Sequence, residues 1–69
     1  MMIKYVATIQ TDKGIAKIGI EERGERFWVV GLLPDGMIEE TEQNDSTYDL
    51  ALDSISWMYK GVKWSLEWL

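Results

Sequence analysis

Sixty-nine residues with a net charge of −5 describe one acidic domain, residues 1–69, with a single core. A chain this short buries only ~60% of the surface its unfolded form exposes, and such a core supplies about 3–5 kcal/mol. With no cysteine and no histidine, disulfide frameworks, thiolate chemistry and Ser–His or Cys–His nucleophile systems are excluded. No apolar run nears the ~20 residues a membrane span needs. The opening Met1-Met2-Ile3-Lys4 lacks the apolar stretch of a secretory signal. These features predict a cytoplasmic protein without a membrane partner.

Met2 to Gln10 alternates, with Ile3, Tyr5, Ala7 and Ile9 on one face, which predicts a half-buried strand. Thr11-Asp12-Lys13-Gly14 is a turn. A second strand is predicted from Ile15 to Glu22, with Ala16, Ile18 and Ile20 facing the core, and Arg23-Gly24 as its tight connection. The third, Glu25 to Leu33, is apolar on both faces, as a central strand is. Pro34-Asp35-Gly36 is a turn, and Met37 to Glu42 is an acidic fourth strand.

The core positions fit one register. Across the second hairpin, Glu22 faces Glu25, Glu21 Arg26, Ile20 Phe27, Ile18 Val29 and Ala16 Gly31. Across the first, Ile9 faces Ala16, Ala7 Ile18, Tyr5 Ile20 and Lys4 Glu21. The other face carries Val6, Ile15, Trp28, Val30 and Leu32, with Trp28 opposite Gly19. That face is covered or makes contacts.

A helix follows. Asp45 or Ser46 caps it, and Ser46 with Asp49 resembles a capping box. Tyr48, Ala51, Leu52, Ile55, Met58 and Tyr59 form its apolar stripe, Leu50 and Trp57 lie opposite, and Gly61 stops it. Val62, Trp64, Leu66 and Trp68 then alternate as a last strand, which alternation alone does not place in the sheet; the edge of the first strand away from the fourth is one position open to it. Trp64 and Trp68 are predicted core. The expected architecture is α+β: an antiparallel sheet of four or five strands with one helix on one face, in the order β-β-β-β-α-β.

No glycine-rich phosphate loop is present, and a pair of catalytic carboxylates needs a cleft that so small a domain has little room to form. The reading is of a non-enzyme without a cofactor. Glu39, Glu40, Glu42, Asp45 and Asp49 raise the question of calcium or magnesium, but the twelve-residue calcium-loop spacing is absent. Acids at a helix N-terminus are favoured by its dipole, so no metal is expected. Lys4, Lys17 and Arg26 lie on the sheet near Trp28, each with an acid nearby, and form no basic stripe. Direct nucleic-acid contact is therefore not expected.

Charge and tryptophan are the positive signals. Asp35 to Asp53 holds seven acids (Asp35, Glu39, Glu40, Glu42, Asp45, Asp49 and Asp53) and no Lys or Arg. An edge strand guarded by charge accounts for Glu39, Glu40 and Glu42, but not for the lack of any relieving cation through Asp53. Fields of one sign steer oppositely charged partners. Trp57, with Leu50, is the exposed apolar candidate.

Ile3-Lys4-Tyr5 opening the first strand, Asp45-Ser46-Thr47 opening the helix and Ser56-Trp57-Met58-Tyr59-Lys60-Gly61 closing it resemble the small phage-encoded anti-CRISPR proteins directed at type I systems. The order of elements agrees over most of the chain. The final strand stands where one member of that group has a helix, and this chain is more acidic. The resemblance implies a protein inhibitor in the cytoplasm of a bacterial host cell. It would bind a CRISPR effector subunit of a surveillance complex and block DNA recognition, its carboxylates acting as a DNA mimic toward Lys and Arg that grip phosphates. The expected contact residues are Glu39, Glu40, Glu42, Asp45, Asp49, Asp53 and Trp57, on a monomer or weak homodimer. Two alternatives differ in class: a homodimeric accessory or antitoxin-like domain joined through the open sheet face or last strand, and a single-stranded nucleic-acid binder using Trp28.

Overall fold

A computed structural model describes residues 2–60 and 66–69. It contains β1 (Ile3–Thr11), β2 (Gly14–Arg23), β3 (Arg26–Leu32), β4 (Ile38–Asp45), α1 (Tyr48–Met58) and β5 (Leu66–Trp68). The strands form one five-stranded sheet in the order β4-β3-β2-β1-β5. All pairings are antiparallel, and the structure places β5 on the outer edge of β1, away from β4. The expected α+β architecture holds. The stop at Gly61 and the alternation of Val62 and Trp64 lie outside the described residues. Among the described residues no helix is long and apolar enough to cross a membrane.

The first hairpin keeps the predicted register from Thr11↔Gly14 to Ala7↔Ile18. Beyond it, Val6 is an extra residue, and pairing resumes at Tyr5↔Gly19, Lys4↔Ile20 and Ile3↔Glu21. The expected Tyr5–Ile20 and Lys4–Glu21 pairs are therefore wrong. A one-residue bulge inverts every face upstream of it. Val6 joins Ala7 in the core, while Ile3 and Tyr5 move to the open face. Gly19 makes room for them, since a Cβ there would sit 2.6 Å from Ile3 Cγ2 and 3.1 Å from Tyr5 Cδ1.

The second hairpin pairs Arg23↔Arg26, Glu22↔Phe27, Glu21↔Trp28, Ile20↔Val29, Gly19↔Val30 and Ile18↔Gly31. Its loop is Gly24-Glu25, not Arg23-Gly24. The register differs from the expected one by two residues, so each side chain keeps its face. Gly24 (φ 59°) and Glu25 (φ 64°) both have positive φ, as a type I′ hairpin turn requires. Glutamate in this left-handed region costs about 1–2 kcal/mol, partly offset by the backbone entropy a glycine would lose. Glu25→Gly should therefore stabilise the domain by about 0.5–1 kcal/mol, read as a higher urea midpoint at unchanged slope.

β4 runs three residues past its expected end. Val30↔Glu40 and Trp28↔Asn44 leave Thr41-Glu42-Gln43 spanning the single residue Val29. Thr41 Oγ1 donates to the Val29 carbonyl (2.7 Å) and accepts from the Gln43 N–H (3.2 Å), so the bulge is held by its own side chain. The helix cap is Thr47, in extended conformation, with Oγ1 accepting from the Leu50 N–H at 3.1 Å. Asp45 does not cap because it is still in the sheet, opposite Phe27.

The core lies between α1 and one sheet face. Val6, Ala7, Ile9, Ile18, Ile20 and Val29 meet Ala51 and Ile55, with Phe27, Tyr48, Leu52, Met58, Tyr59 and Leu66 around them. This is the predicted helix stripe. Trp68, expected in the core, lies opposite Ala7 at the sheet edge and is 48% exposed.

Candidate binding surface

The acidic residues do not form one field. Glu39 pairs with Gly31 and Glu40 with Val30. Adjacent strand residues point to opposite faces, so Glu39 turns toward the helix side and Glu40 toward the open side. Glu39 reaches a cavity of about 240 Å³ lined by Ile9, Ala16, Ile18, Leu33 and Tyr59 among others. Burial, and then the Glu39 charge, push the Tyr59 phenol above its ordinary value of 10.0. The folded protein thus holds a proton that the unfolded chain releases first. The resulting stability is fully present below pH 10.0 and is lost as the pH rises through the raised value. Tyr59→Phe should flatten this alkaline loss in denaturation curves taken at increasing pH.

Glu40 belongs to a polar group on the open face. Arg23 Nη1 bonds Glu40 Oε1 at 3.3 Å, and Arg23 Nε lies 3.5 Å from Glu21 Oε1. The second contact is an ion pair without hydrogen-bond geometry, and both of its atoms are otherwise unpaired. The Arg23 guanidinium lies over Trp28, 4.5 Å from the ring centroid, and Glu21 is only 4% exposed. Next to this group, Arg26 Nε donates to Asn44 Oδ1 at 2.6 Å. Lys4 lies over the Tyr48 ring and Lys17 over the Tyr5 ring. The sheet cations are thus spread over both faces, and Trp28 already stacks on a cation of its own chain.

The remaining predicted site residues gather at the other end of β4. Glu42 is exposed within the bulge, and Asp49 is exposed in the first turn of α1. Asp45 is half-buried, with Oδ2 accepting from Ser54 Oγ (2.8 Å) and from Gln43 Nε2 (3.3 Å). Gln43 Nε2 also donates to Ser54 Oγ at 3.3 Å, tying β4 to the helix. Asp45, Asp53 and Trp57 line one groove together with Gln43, Leu50 and Ser54. Leu50 is 48% and Trp57 78% exposed. Leu50, Asp53, Ser54 and Trp57 recur at i, i+3, i+4 and i+7, so one outward helix face carries them all.

Of the seven predicted residues, then, three share this groove, Glu42 and Asp49 lie on elements that adjoin it, and Glu39 and Glu40 stand apart on opposite faces. Gln43 and Ser54 escaped the sequence reading, although the i+4 spacing from Leu50 marks Ser54. Among the described residues, no Lys or Arg comes within 4.0 Å of the carboxylates of Glu39, Glu42, Asp45, Asp49 or Asp53. No group of three or more acids there is placed to hold a metal ion. Comparison with protein-family models, with curated proteins and with solved structures finds no match.

Proposed function

We propose that this domain is a non-catalytic inhibitor that docks on a basic protein surface through the outward face of α1 and the adjoining end of β4. One observation carries the reading: Leu50 and Trp57 are exposed two turns apart on one helix face whose acids have no cationic neighbour among the described residues. An exposed tryptophan is a typical interface anchor, and uncompensated carboxylates steer a basic partner and repel nucleic acid. The partner class implied by the resemblance is a type I CRISPR surveillance complex, whose DNA-holding surface offers such Lys and Arg groups. Binding there would compete with DNA by position and charge.

Mixing the purified protein with a type I surveillance complex, then adding labelled target DNA, tests this. The expected result is a stable complex that excludes DNA and weakens as salt rises. A complex that binds DNA equally well with excess protein present would contradict it. A second reading has its own observation: Ile15 (57% exposed) and Ile38 (47%) are exposed on the open sheet face. Leu32 lies between Ile38 and Lys17, with Ile15 two residues further along β2. These apolar side chains suit self-association, for which light scattering at rising concentration would show a dimer. A monomer throughout would dispose of it.

A further inference from the structure

We infer that the groove beside Trp57 receives one arginine side chain of the partner protein. This rests on the binding reading above and names the chemistry of its central contact. The groove holds about 350 Å³ and is lined by Gln43, Asp45, Leu50, Asp53, Ser54 and Trp57. An aromatic ring and an aliphatic side chain suit the flat face and the methylene stem of arginine, and two carboxylates suit its charged fork. Asp45 is held in place, because both of its hydrogen bonds fall on Oδ2. Among the described residues nothing donates to Oδ1, so a carboxylate that lines the groove keeps one oxygen free to accept.

The same molecule holds one arginine among residues of the same types. On the open face, Arg23 stacks 4.5 Å from Trp28 and pairs with Glu21 and Glu40. Trp57, Asp45 and Asp53 repeat that set (one tryptophan and two carboxylates) without a cation from the described residues. Arginine fits better than lysine because a planar guanidinium stacks on indole while donating in its own plane, whereas an ammonium is a strongly hydrated point charge. Phosphate or carboxylate ligands are opposed by both aspartates.

Titration of the isotope-labelled protein with N-acetyl-arginine amide, N-acetyl-lysine amide and N-acetyl-norleucine amide at low salt tests this. The readouts are the Trp57 indole N–H, assigned with Trp57→Phe, and the Gln43 and Asp53 amides. Arginine amide should give saturable shifts in about the millimolar range, as expected for one side chain in an open groove. Lysine amide should bind at least about threefold more weakly, and Asp53→Asn should weaken arginine about tenfold. The Trp28 indole should stay in place. Absence of saturation, equal binding of norleucine or lysine amide, or indifference to Asp53→Asn would overturn the assignment. The two proposals fail separately. If arginine amide does not bind but the surveillance complex still does, only the occupant is wrong; if arginine binds and the complex does not, the function is wrong and the groove assignment stands.

Discussion

Ile55→Ala is expected to leave the domain largely unfolded at room temperature. Ile55 is 0% exposed and is the largest wholly buried side chain on α1, packed among Val6, Ala7, Ile9, Ile18, Ile20 and Val29. Truncating such a residue removes its transfer energy and leaves a cavity, at a cost of about 2–5 kcal/mol. A single core of this size supplies only about 3–5 kcal/mol in total. The control lies on the same helix: Leu50→Ala, on the outward face, should change stability by at most about 0.5 kcal/mol. Urea denaturation followed by circular dichroism compares the two. Equal midpoints would mean that α1 does not present the Ile55 face to the sheet.

The second large effect is on binding. Trp57→Ala combined with Asp53→Lys should weaken association with the proposed partner, a type I surveillance complex, by about a hundredfold or more, since a hot-spot truncation alone costs about 2 kcal/mol and a like-charge contact adds to it. Both side chains are exposed, so the variant should keep the wild-type unfolding free energy within about 0.5 kcal/mol in urea titrations. Glu40→Gln should have little effect on binding, because Arg23 already engages that carboxylate. Calorimetric titration separates these cases. A larger loss from Glu40→Gln than from the double variant would move the contact surface to the open sheet face.

Faces were legible in the sequence wherever strict alternation held. Ile18 and Ile20 on β2, Phe27 and Val29 on β3 and the Tyr48–Tyr59 stripe all meet where their spacing puts them, and Ala16 is buried as its spacing predicts. The Val6 bulge was not legible, because Ile3, Tyr5 and Val6 are all apolar enough for either face. Gly19 in the middle of a strand was the available cue, since such a glycine marks a bulge or a close approach. In the second hairpin, registers two residues apart keep the same faces, so alternation could not choose between an Arg23-Gly24 and a Gly24-Glu25 loop. The grouping of the acids was not legible for a different reason. A run of acids along a strand is not a surface, because its period of two sends Glu39 and Glu40 to opposite sides. The outward helix face was legible from spacing alone, but its junction with Gln43 and Asp45 was not, because it depends on two extra residues in β4.

The central claim is that the outward face of α1, not the open face of the sheet, meets the partner. Fluorine resonance of protein labelled with 5-fluorotryptophan tests it directly, because Trp57 and Trp28 report separately on the two surfaces. On adding the surveillance complex, the Trp57 signal should shift or broaden while that of Trp28, stacked on Arg23, keeps its position. A complex that perturbs Trp28 and leaves Trp57 unchanged would contradict the account.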